Sequence, residues 1–226
     1  MAVIPTDVAS YGPDLPDERE LRLCGEVKGR RVLELGCGAA QSSIAFAKAG
    51  AKAIGVDCSA AQLAYGRKLA EAEEVRVELH HGDMADIGFL TSASVDLVFS
   101  AMSLQYVDDV NRVFRQVHRV LRTDAHFVFS VPHPAAMTLD ADGKAIALAR
   151  SMFDRTPVTR RLNDVVVTEH PRSVSSLFTS LQRANFRVDV ILEPEPTPGR
   201  NPSPLWRDLY RSVPPALVMR ARKLGV

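Results

Sequence analysis

The stretch that decides the fold lies at residues 31–40 and has the sequence RVLELGCGAA. Its apolar first half predicts a buried strand, which carries the carboxylate of Glu34 and turns at once through Gly36 and Gly38. A helix follows over about 41–49, and the glycine after it stands at the left-handed position that commonly ends a helix. Glycines in such a turn let the backbone approach a ligand closely, and the helix N-terminus offers unpaired N–H groups. The stretch therefore predicts a cofactor site in an α/β fold.

Two features separate this turn from a dinucleotide site. The dinucleotide fingerprint G-x-G-x-x-G/A requires a small residue five positions after the first glycine, where this chain has Gln41. The carboxylate of Glu34 would also repel a pyrophosphate, because both are negative. It suits a ligand that carries hydroxyls, an ammonium group or a sulfonium. A nicotinamide cofactor is therefore the weaker alternative.

A second acidic residue follows the next predicted strand, which spans 51–56. Asp57 ends this strand, and Ser59 is a plausible N-cap for a helix over 60–72. In nucleotide-binding α/β folds an acidic residue about 20 positions beyond the glycines grips the ribose, because one carboxylate accepts from two hydroxyls. Asp57 is therefore a candidate ribose ligand. The alternative is that it only caps the next helix.

Later strands carry further polar residues to the same edge of the sheet. Asp83 follows the third strand in the sequence Gly82-Asp83-Met84, which taken alone is equally compatible with an ordinary turn, and Ser100 ends the fourth strand. Ligands of open parallel sheets bind at the carboxyl ends of strands, near the topological switch point, so these residues and the two earlier carboxylates are predicted to share one cleft. The pattern predicts strands at 75–79, 95–100 and 126–131 and an amphipathic helix over 110–121.

Three motifs, at the expected spacing along the sequence, resemble those of the class I S-adenosylmethionine-dependent methyltransferases. The resemblance is to the small-molecule type, which includes the ubiquinone and menaquinone methyltransferases. The motifs are the pattern E-x-G-x-G-x-A that ends at Ala40, the acidic Asp57, and Gly82-Asp83-Met84. Ala40 departs from the family, which usually has a third glycine there, and RTDA at 122–125 replaces a common Pro-Gly turn. The resemblance covers essentially the whole chain, with the specific motifs confined to about 31–133.

The resemblance implies an α/β fold with a Rossmann-like sheet of seven mostly parallel strands. It also implies that the last strand is antiparallel and inserted beside the fifth, with helices on both faces. The last two strands are predicted at 186–192 and 216–222, after a helix that Ser173 caps and that runs to about Ala184. We interpret 1–226 as one domain, divided into an N-terminal helix (13–28), a cofactor half (31–133), an insertion (135–172), and a last helix with strands (173–226).

Periodicity is weak in the insertion over 135–172. Long excursions at this position are often lids. A short strand is predicted at 165–168. Apolar residues that either line an acceptor pocket or pack the insertion onto the sheet are Met137, Leu139, Ile146, Leu148, Met152 and Phe153.

The resemblance implies S-adenosylmethionine as the cofactor and S-adenosylhomocysteine as its product. It assigns the methionine part to Glu34 and the backbone of Gly36 and Gly38, the ribose to Asp57, and the adenine to Asp83 with Met84. The full set of predicted cofactor residues is Tyr11, Glu34, Gly36, Cys37, Gly38, Ala40, Asp57, Cys58, Gln62, Asp83, Met84, Ser100 and Ala101.

Some members of this set have alternative roles. Tyr11 could fold over the cofactor as an aromatic cover, or belong to a frayed tail. Cys37 and Cys58 lie in the predicted cofactor loops and are interpreted as small, semi-polar fillers, with redox chemistry as the alternative. Together with Cys24 they show no metal-ligand spacing, so no metal site is predicted, and a reducing cytoplasm fits this cysteine usage.

The predicted reaction is an in-line displacement, in which an acceptor nucleophile attacks the methyl carbon of the sulfonium. A general base is needed if the acceptor is a hydroxyl or an acidic carbon. His133, between two prolines at the end of the fifth strand, is the first candidate, and His170, in Glu169-His170-Pro171, is the second. The alternative for each is a hydrogen-bonded structural histidine.

Composition narrows the class of acceptor. The 226 residues are 46% hydrophobic and 24% charged, which is typical of a globular protein. The formal net charge is +1, which gives no overall electrostatic attraction to nucleic acid or to an anionic membrane. The loop after the fourth strand lacks the Asp/Asn-Pro-Pro-aromatic sequence of enzymes that methylate exocyclic amines of bases. No signal peptide is recognised, and no apolar run approaches the ~20 residues that span a bilayer. We expect a small-molecule methyl acceptor, no nucleic-acid or membrane partner, a cytoplasmic location, and a monomer or homodimer.

Three functions remain open at this point. The first is a small-molecule methyltransferase, which the three motifs favour. The second is a nicotinamide-dependent oxidoreductase, which Glu34 and Gln41 disfavour. The third is a methyltransferase-like protein that binds the cofactor without transferring methyl, because no obligatory catalytic residue defines methyl transfer.

Overall fold

The structure is a computed structural model that describes residues 5–142, 145–162 and 165–225. The strands are β1 (Arg31–Leu35), β2 (Lys52–Asp57), β3 (Val77–His81), β4 (Val95–Ala101), β5 (Leu121–Pro132), β6 (Leu139–Asp142), β7 (Ala145–Leu148), β8 (Val158–Leu162), β9 (Val165–Glu169), β10 (Phe186–Leu192) and β11 (Ala216–Lys223). The helices are α1 (Glu18–Leu21), α2 (Gln41–Lys48), α3 (Ala60–Ala72), α4 (Val110–Val120), α5 (Pro134–Thr138) and α6 (Val174–Arg183), with 3-10 turns at Leu104–Tyr106 and Asp208–Arg211. Within these ranges no helix has the length and apolar character needed to cross a bilayer.

Seven strands of the described residues form one sheet in the order β10-β11-β5-β4-β1-β2-β3. β1 lies between β2 and β4 and pairs parallel with both. β11 is antiparallel to its neighbours β5 and β10. The chain builds outward from β1 to β3 and then crosses to β4, so the topological switch point, where ligands bind in such sheets, lies between β1 and β4. The predicted fold class is confirmed.

The two faces of the sheet are covered by different elements. Leu33 of β1 belongs to the core that α4 and α6 complete, whereas its neighbour Val32 belongs to the core on the other face. On that second face, Phe99 of β4 contacts Phe46 of α2 and Tyr11, with ring centroids 5.4 and 5.5 Å apart. Alternate residues of the strands therefore face opposite ways, as the pleat requires.

Most predicted boundaries agree with the structure to within two residues. The helix predicted at 60–72 is α3, the strand predicted at 186–192 is β10, and Ser173 caps α6 through its Oγ, which accepts from the N–H of Ser176 at 3.1 Å. β5 is the exception, because it begins at Leu121 rather than at His126. Asp124 adopts a left-handed φ of 62° inside this strand, which breaks the alternation that sequence patterns detect.

The prediction of an N-terminal helix over 13–28 is wrong in its extent. Only α1 is helical, and it ends where Arg22 adopts a left-handed φ of 51°. The spacing of Leu15, Leu21, Leu23 and Val27 also predicts that this segment packs on the sheet, and Leu15, Leu23 and Val27 are indeed buried there. Apolar spacing therefore located the contact but not the backbone conformation.

The insertion between β5 and α6 contains α5 and two hairpins. β6 pairs with β7 and β8 pairs with β9, each as a separate two-stranded antiparallel sheet. The strand predicted at 165–168 is β9. Positions 143–144 and 163–164 of the predicted insertion lie outside the described residues. Among the apolar residues predicted to line a pocket or to pack on the sheet, Ile146, Leu148 and Phe153 are exposed instead. Met152 is also exposed, but it lines a small cleft together with Met137.

Candidate functional site

The three predicted carboxylates lie at the carboxyl ends of adjacent strands. Glu34 is in β1, Asp57 ends β2, and Asp83 follows β3. The loops that carry Asp57 and Asp83 meet, since the N–H of Gly82 donates to the main-chain carbonyl of Asp57 at 3.0 Å. Burial raises the pKa of the Cys58 thiol most, and the charges of Asp57 and Asp83 raise it further. The charge of Asp57 likewise raises the pKa of Glu34. The three groups therefore share one edge of the sheet.

The glycine turn after β1 is fixed by backbone hydrogen bonds to β2. The N–H groups of Gly36 and Cys37 both donate to the carbonyl of Val56, at 2.8 and 3.0 Å. Gly36 has a φ of 65°, and a Cβ at this position would overlap the side chain of Ser103 and lie 2.9 Å from Met84 Cε. Only glycine fits here, because both the conformation and the space exclude a side chain. The turn thus touches the loop after β4.

Glu34 is a buried carboxylate held by the first turns of α2. Its Oε2 accepts from the backbone N–H of Ser43 at 2.7 Å and from Ser43 Oγ at 2.5 Å. Burial raises the pKa of Glu34 to about 7, although the bonds from Ser43 lower it and the charge of Asp57 adds to the rise. A nearby cation would restore the charged form, because an opposite charge lowers the pKa of a carboxyl group. Sequence reasoning missed Ser43, whose only signal was its place in the first turns of the helix.

Asp57 connects the glycine turn to the next helix. Its Oδ2 accepts from the N–H of Gly38 at 2.7 Å, and its Oδ1 accepts from the N–H of Ser59 at 2.8 Å. A carboxylate oxygen can accept a second hydrogen bond, so each oxygen keeps capacity for a ligand hydroxyl. Asp83 is more exposed and uses Oδ1 to accept from the N–H of Ala85 at 2.8 Å. Both residues combine a structural bond with spare acceptor capacity.

Two predicted cofactor side chains face the protein interior instead. Tyr11 is fully buried against Phe99, and its hydroxyl donates to Glu18, so its ring is not the aromatic cover that was expected. Ser100 is also fully buried, and its Oγ donates to the carbonyl of Leu35 at 3.1 Å, which ties β4 to β1. The signal for Ser100 was its position at a strand end, and that for Tyr11 was an aromatic ring ahead of the N-terminal segment; neither determines the direction of a side chain.

The other predicted residues lie around the turn. Cys37 Sγ packs towards Gly55, where a Cβ would lie 2.8 Å from the sulfur, which agrees with its interpretation as a filler. Gln62 and Cys58 are exposed in the loop and helix after Asp57, and Met84 and Ala101 are half-buried. Ala40 adopts a left-handed φ of 62°, the conformation that explains why a glycine is usual there.

His133 is held by both ring nitrogens. Nδ1 accepts from the N–H of Ala135 at 3.2 Å, which caps α5, and Nε2 lies 2.8 Å from Glu193 Oε1. Because Nδ1 is an acceptor, the ring proton belongs on Nε2, where it is donated to Glu193. This geometry leaves no ring nitrogen to take a proton from a substrate and argues against the predicted role as a base.

His170 is placed differently. Its backbone N–H donates to the carbonyl of Gln105 at 2.8 Å, and its Nδ1 lies 3.4 Å from Asp108 Oδ1. About a fifth of its side chain is exposed. It borders a cavity at the carboxyl ends of β4 and β5, on the far side of β4 from the carboxylates. Of the two predicted bases, this one borders a cleft that has room for about one water molecule.

Comparisons with known proteins agree with this geometry. A family model described as a methyltransferase domain matches residues 33–129. A probable S-adenosylmethionine-dependent methyltransferase of Mycolicibacterium smegmatis is 33% identical over 76% of this chain and 57% of its own length. A ubiquinone biosynthesis O-methyltransferase of Bordetella avium is 31% identical over 48% of this chain and 45% of its own length. The chain thus matches about half the length of these two curated relatives.

A solved structure extends the similarity to almost the whole fold. It is an S-adenosylmethionine-dependent methyltransferase from Mesorhizobium loti, with 29% sequence identity and a TM-score of 0.73. The match covers 89% of this chain and 94% of that one. The similarity therefore includes the elements on both sides of β4.

Proposed function

The chain belongs to the class I S-adenosylmethionine-dependent methyltransferase family, and from that premise we propose that it transfers a methyl group from S-adenosylmethionine to a small organic acceptor. The observation that carries the proposal is the edge at which Glu34, the Gly36 turn and Asp57 meet, beside the topological switch point. A nicotinamide-dependent oxidoreductase is disfavoured by this family membership and by the negative charge along the edge, which is unsuited to a pyrophosphate.

The chemistry of these side chains fits the cofactor. Both oxygens of Asp57 keep capacity for the two ribose hydroxyls after accepting from Gly38 and Ser59. No atom lies within 4 Å of the position a Cβ would take at Gly38, so the turn leaves room for a ligand. Glu34 supplies the negative charge that an ammonium or sulfonium group needs. Asp83 and the backbone of Met84 are the proposed adenine ligands.

The protein's own contribution is orientation and exclusion of water. When bound, S-adenosylmethionine supplies a methyl group that its positively charged sulfur has already activated. The residues of the chain then have to align the acceptor in line with that methyl group, an effect worth up to about 7–11 kcal/mol when two reactants are well oriented. We assign the holding of the methionine part to Glu34 and to the backbone of Gly36 and Gly38.

For an acceptor that must lose a proton, His170 is the proposed general base. It borders the cavity beside β4, and Asp108 lies 3.4 Å from its Nδ1, where the carboxylate orients the ring. His133 is not proposed as the base, because Ala135 and Glu193 occupy both of its ring nitrogens. The insertion over 135–172, which contributes to the wall of the same cavity, is the proposed acceptor lid.

Several observations support a small acceptor. The relative from Bordetella avium is by name an O-methyltransferase of ubiquinone biosynthesis, which makes a quinone-type phenol a reasonable model for the acceptor class. The net charge of +1 offers little attraction for nucleic acid. The cysteines are free, as expected for the reducing cytoplasm that we propose. A monomer or homodimer remains our expectation for the assembly.

Calorimetry with S-adenosylmethionine and S-adenosylhomocysteine tests the cofactor site. We expect micromolar binding that Asp57→Ala weakens by about 100-fold, because it removes two hydrogen bonds to a charged acceptor. Asp86→Ala is the matched control, since Asp86 is exposed at the same edge and is 4.0 Å from its nearest cation, Arg112. Folded protein that gives no heat with either ligand would contradict the proposal.

Labelled S-adenosylmethionine and a metabolite extract test the reaction. We expect one small compound to gain the label with native protein and none to gain it with Asp57→Ala. If the cofactor binds but no compound is labelled in any extract, the alternative of a cofactor-binding protein without methyl transfer is the correct one.

A further inference from the structure

Ser43, in the first turn of α2, has a hydroxyl group that is almost completely buried. Its Oγ donates to Glu34 Oε2 at 2.5 Å, and its backbone N–H donates to the same oxygen at 2.7 Å. The backbone bond has a structural reason, because the N-cap residue Ala40 has no side-chain oxygen and leaves the first N–H groups of the helix unsatisfied. The hydroxyl bond has no such reason, since an alanine at this position would leave no side-chain donor to satisfy.

The two bonds from Ser43 determine which oxygen of Glu34 faces outward. Oε2 accepts both of them and is turned towards α2. Oε1 accepts no hydrogen bond from the described residues, yet it is not one of their fully enclosed side-chain atoms that lack a partner. It therefore keeps access to the surface, and part of the 5% exposure of Glu34 belongs to it. The glycine turn begins two residues later, so this oxygen opens beside the proposed site of the methionine part.

The surroundings of Glu34 offer its negative charge little other support. Among the described residues no cation contributes to the pKa of Glu34, and the residues paired with it in β2 and β4 are uncharged. The titratable groups that act on it are Asp57 of β2, whose charge raises the pKa of Glu34, and the thiol of Cys37 in the glycine turn. Burial raises the pKa of that thiol, which stays neutral. The bonds from Ser43 therefore oppose both burial and Asp57.

We propose that Ser43 is a positioning residue for the cofactor: its hydroxyl turns one oxygen of Glu34 into the protein, so that the other oxygen faces the ammonium group of the methionine part. This inference rests on the proposed function for the identity of the ligand. Ser43 does not touch the cofactor itself and acts through the orientation and charge of Glu34. The pH at which cofactor affinity changes is then set by the hydroxyl of Ser43.

Binding of S-adenosylhomocysteine at several pH values tests the proposal, because this ligand carries the same ammonium group. We expect its affinity for native protein, measured by calorimetry, to rise about tenfold from pH 6 to pH 8. Ser43→Ala loses one bond to the ionised carboxylate, so the midpoint of this rise is expected to move up by about one pH unit. The variant should then bind about fivefold more weakly than native protein at pH 7, and within about twofold of it at pH 8.5. Weakening by the same factor at every pH would indicate a purely structural role and overturn the proposal.

Variants of the same helix provide the controls. Ser42→Ala makes the same change at the neighbouring buried residue, whose Oγ accepts from the N–H of Ser10 at 3.4 Å, and is expected to keep the native midpoint. Ser43→Thr keeps the hydroxyl and should keep the native midpoint as well. Alanine adds no bulk and favours a helix, so Ser43→Ala is expected to fold. Ser43→Gly, a second variant without the hydroxyl, should show the same shift, and circular dichroism checks the fold of each variant.

Titration of Glu34 in the free protein separates this proposal from the proposed function. Carbon-13 NMR of labelled glutamate carboxyl groups follows the titration without any ligand, and Glu34→Gln identifies the signal. We expect Ser43→Ala to raise the midpoint by about one pH unit and Ser42→Ala to leave it unchanged. An unchanged midpoint in Ser43→Ala, or an equal shift in both variants, would overturn the role of Ser43 even if the cofactor binds. The expected shift without any cofactor binding would support the action of Ser43 on Glu34 and contradict the proposed function.

Discussion

The two sides of β4 are built differently. On the β1–β3 side the loops are short, and each carboxylate is tied by a backbone N–H to its own surroundings, as in the bonds from Ser43 to Glu34 and from Gly38 to Asp57. On the β5 side the chain leaves the sheet for two hairpins that pair only within themselves, and Phe153 is 89% exposed there. The difference supports our proposal of a cofactor edge (Glu34, the Gly36 turn, Asp57 and Asp83) that is formed before binding, and of an acceptor side whose walls are assembled from separate pieces.

The largest effect is expected where the two sides touch. Gly36→Ala would place a methyl group against Ser103 at a left-handed φ, and we expect it to destabilise the fold by about 3 kcal/mol from strain and overpacking combined. Thermal unfolding would measure the loss, and calorimetry a loss of cofactor affinity. Gly199→Ala is the control, because a Cβ there meets no atom within 4 Å. If Gly36→Ala and Gly199→Ala lowered stability and cofactor affinity equally, the proposal that this edge is formed before binding would be wrong.

The next effect concerns the chemical step on the acceptor side. His170→Ala is expected to lower turnover about 100-fold for the labelled acceptor if that acceptor loses a proton, with cofactor affinity kept. His133→Ala is the matched control, expected to leave the chemical step within about twofold while destabilising the fold by about 1 kcal/mol through loss of the α5 cap. The reverse result would restore His133 as the base.

A smaller effect is expected on the pH dependence of stability and cofactor affinity, which we attribute to the cofactor edge and not to the acceptor side. Since the pKa of folded Glu34 is about 7, against an ordinary 4.5, its stabilising contribution is complete below about pH 4.5 and is lost as the pH rises through 7. Cofactor affinity should change in the opposite direction and fall about tenfold from pH 8 to pH 6, because the cationic ligand needs the charged carboxylate.

Glu34→Gln provides the control for this pH dependence. Its amide oxygen can still accept from Ser43, but it does not titrate. We expect lower affinity with a flat profile between pH 6 and pH 8, and greater stability than native protein at pH 8. Calorimetry and chemical unfolding at both pH values would measure this, and an unchanged slope in the variant would exclude Glu34 as the titrating group.

The smallest effect is expected at Ala40. Glycine there would relieve a left-handed conformation that costs an L-residue about 1–2 kcal/mol, at the loss of about 0.8 kcal/mol from one buried methyl group. We therefore expect Ala40→Gly to stabilise the fold by less than about 1 kcal/mol. Thermal unfolding would detect this as a rise of about 1–4 °C, whereas a fall would mean that packing against α3 outweighs the strain.

The cofactor edge was largely predictable from the sequence, because its signals are local. Residues 31–40 contain a strand, a carboxylate and two glycines in close succession. Asp57 follows about 20 positions after the glycines, which is the spacing that a βαβ unit produces. The acceptor side was less predictable. Its hairpins have no strong alternation, and Gln105 lies in a single 3-10 turn that carries no periodic signal.

The sequence by itself determined where the strands of the large sheet lie along the chain, the turn at Gly36 and the edge to which the acidic residues belong, because the period of the apolar residues and the positions of glycines are properties of neighbouring residues. Only the tertiary structure decided which side chains are free. Ser100 bonds to Leu35, 65 positions away, and His133 pairs with Glu193, 60 positions away. Such contacts depend on how distant segments pack, which no local pattern encodes, and they are what removed Tyr11, Ser100 and His133 from the site.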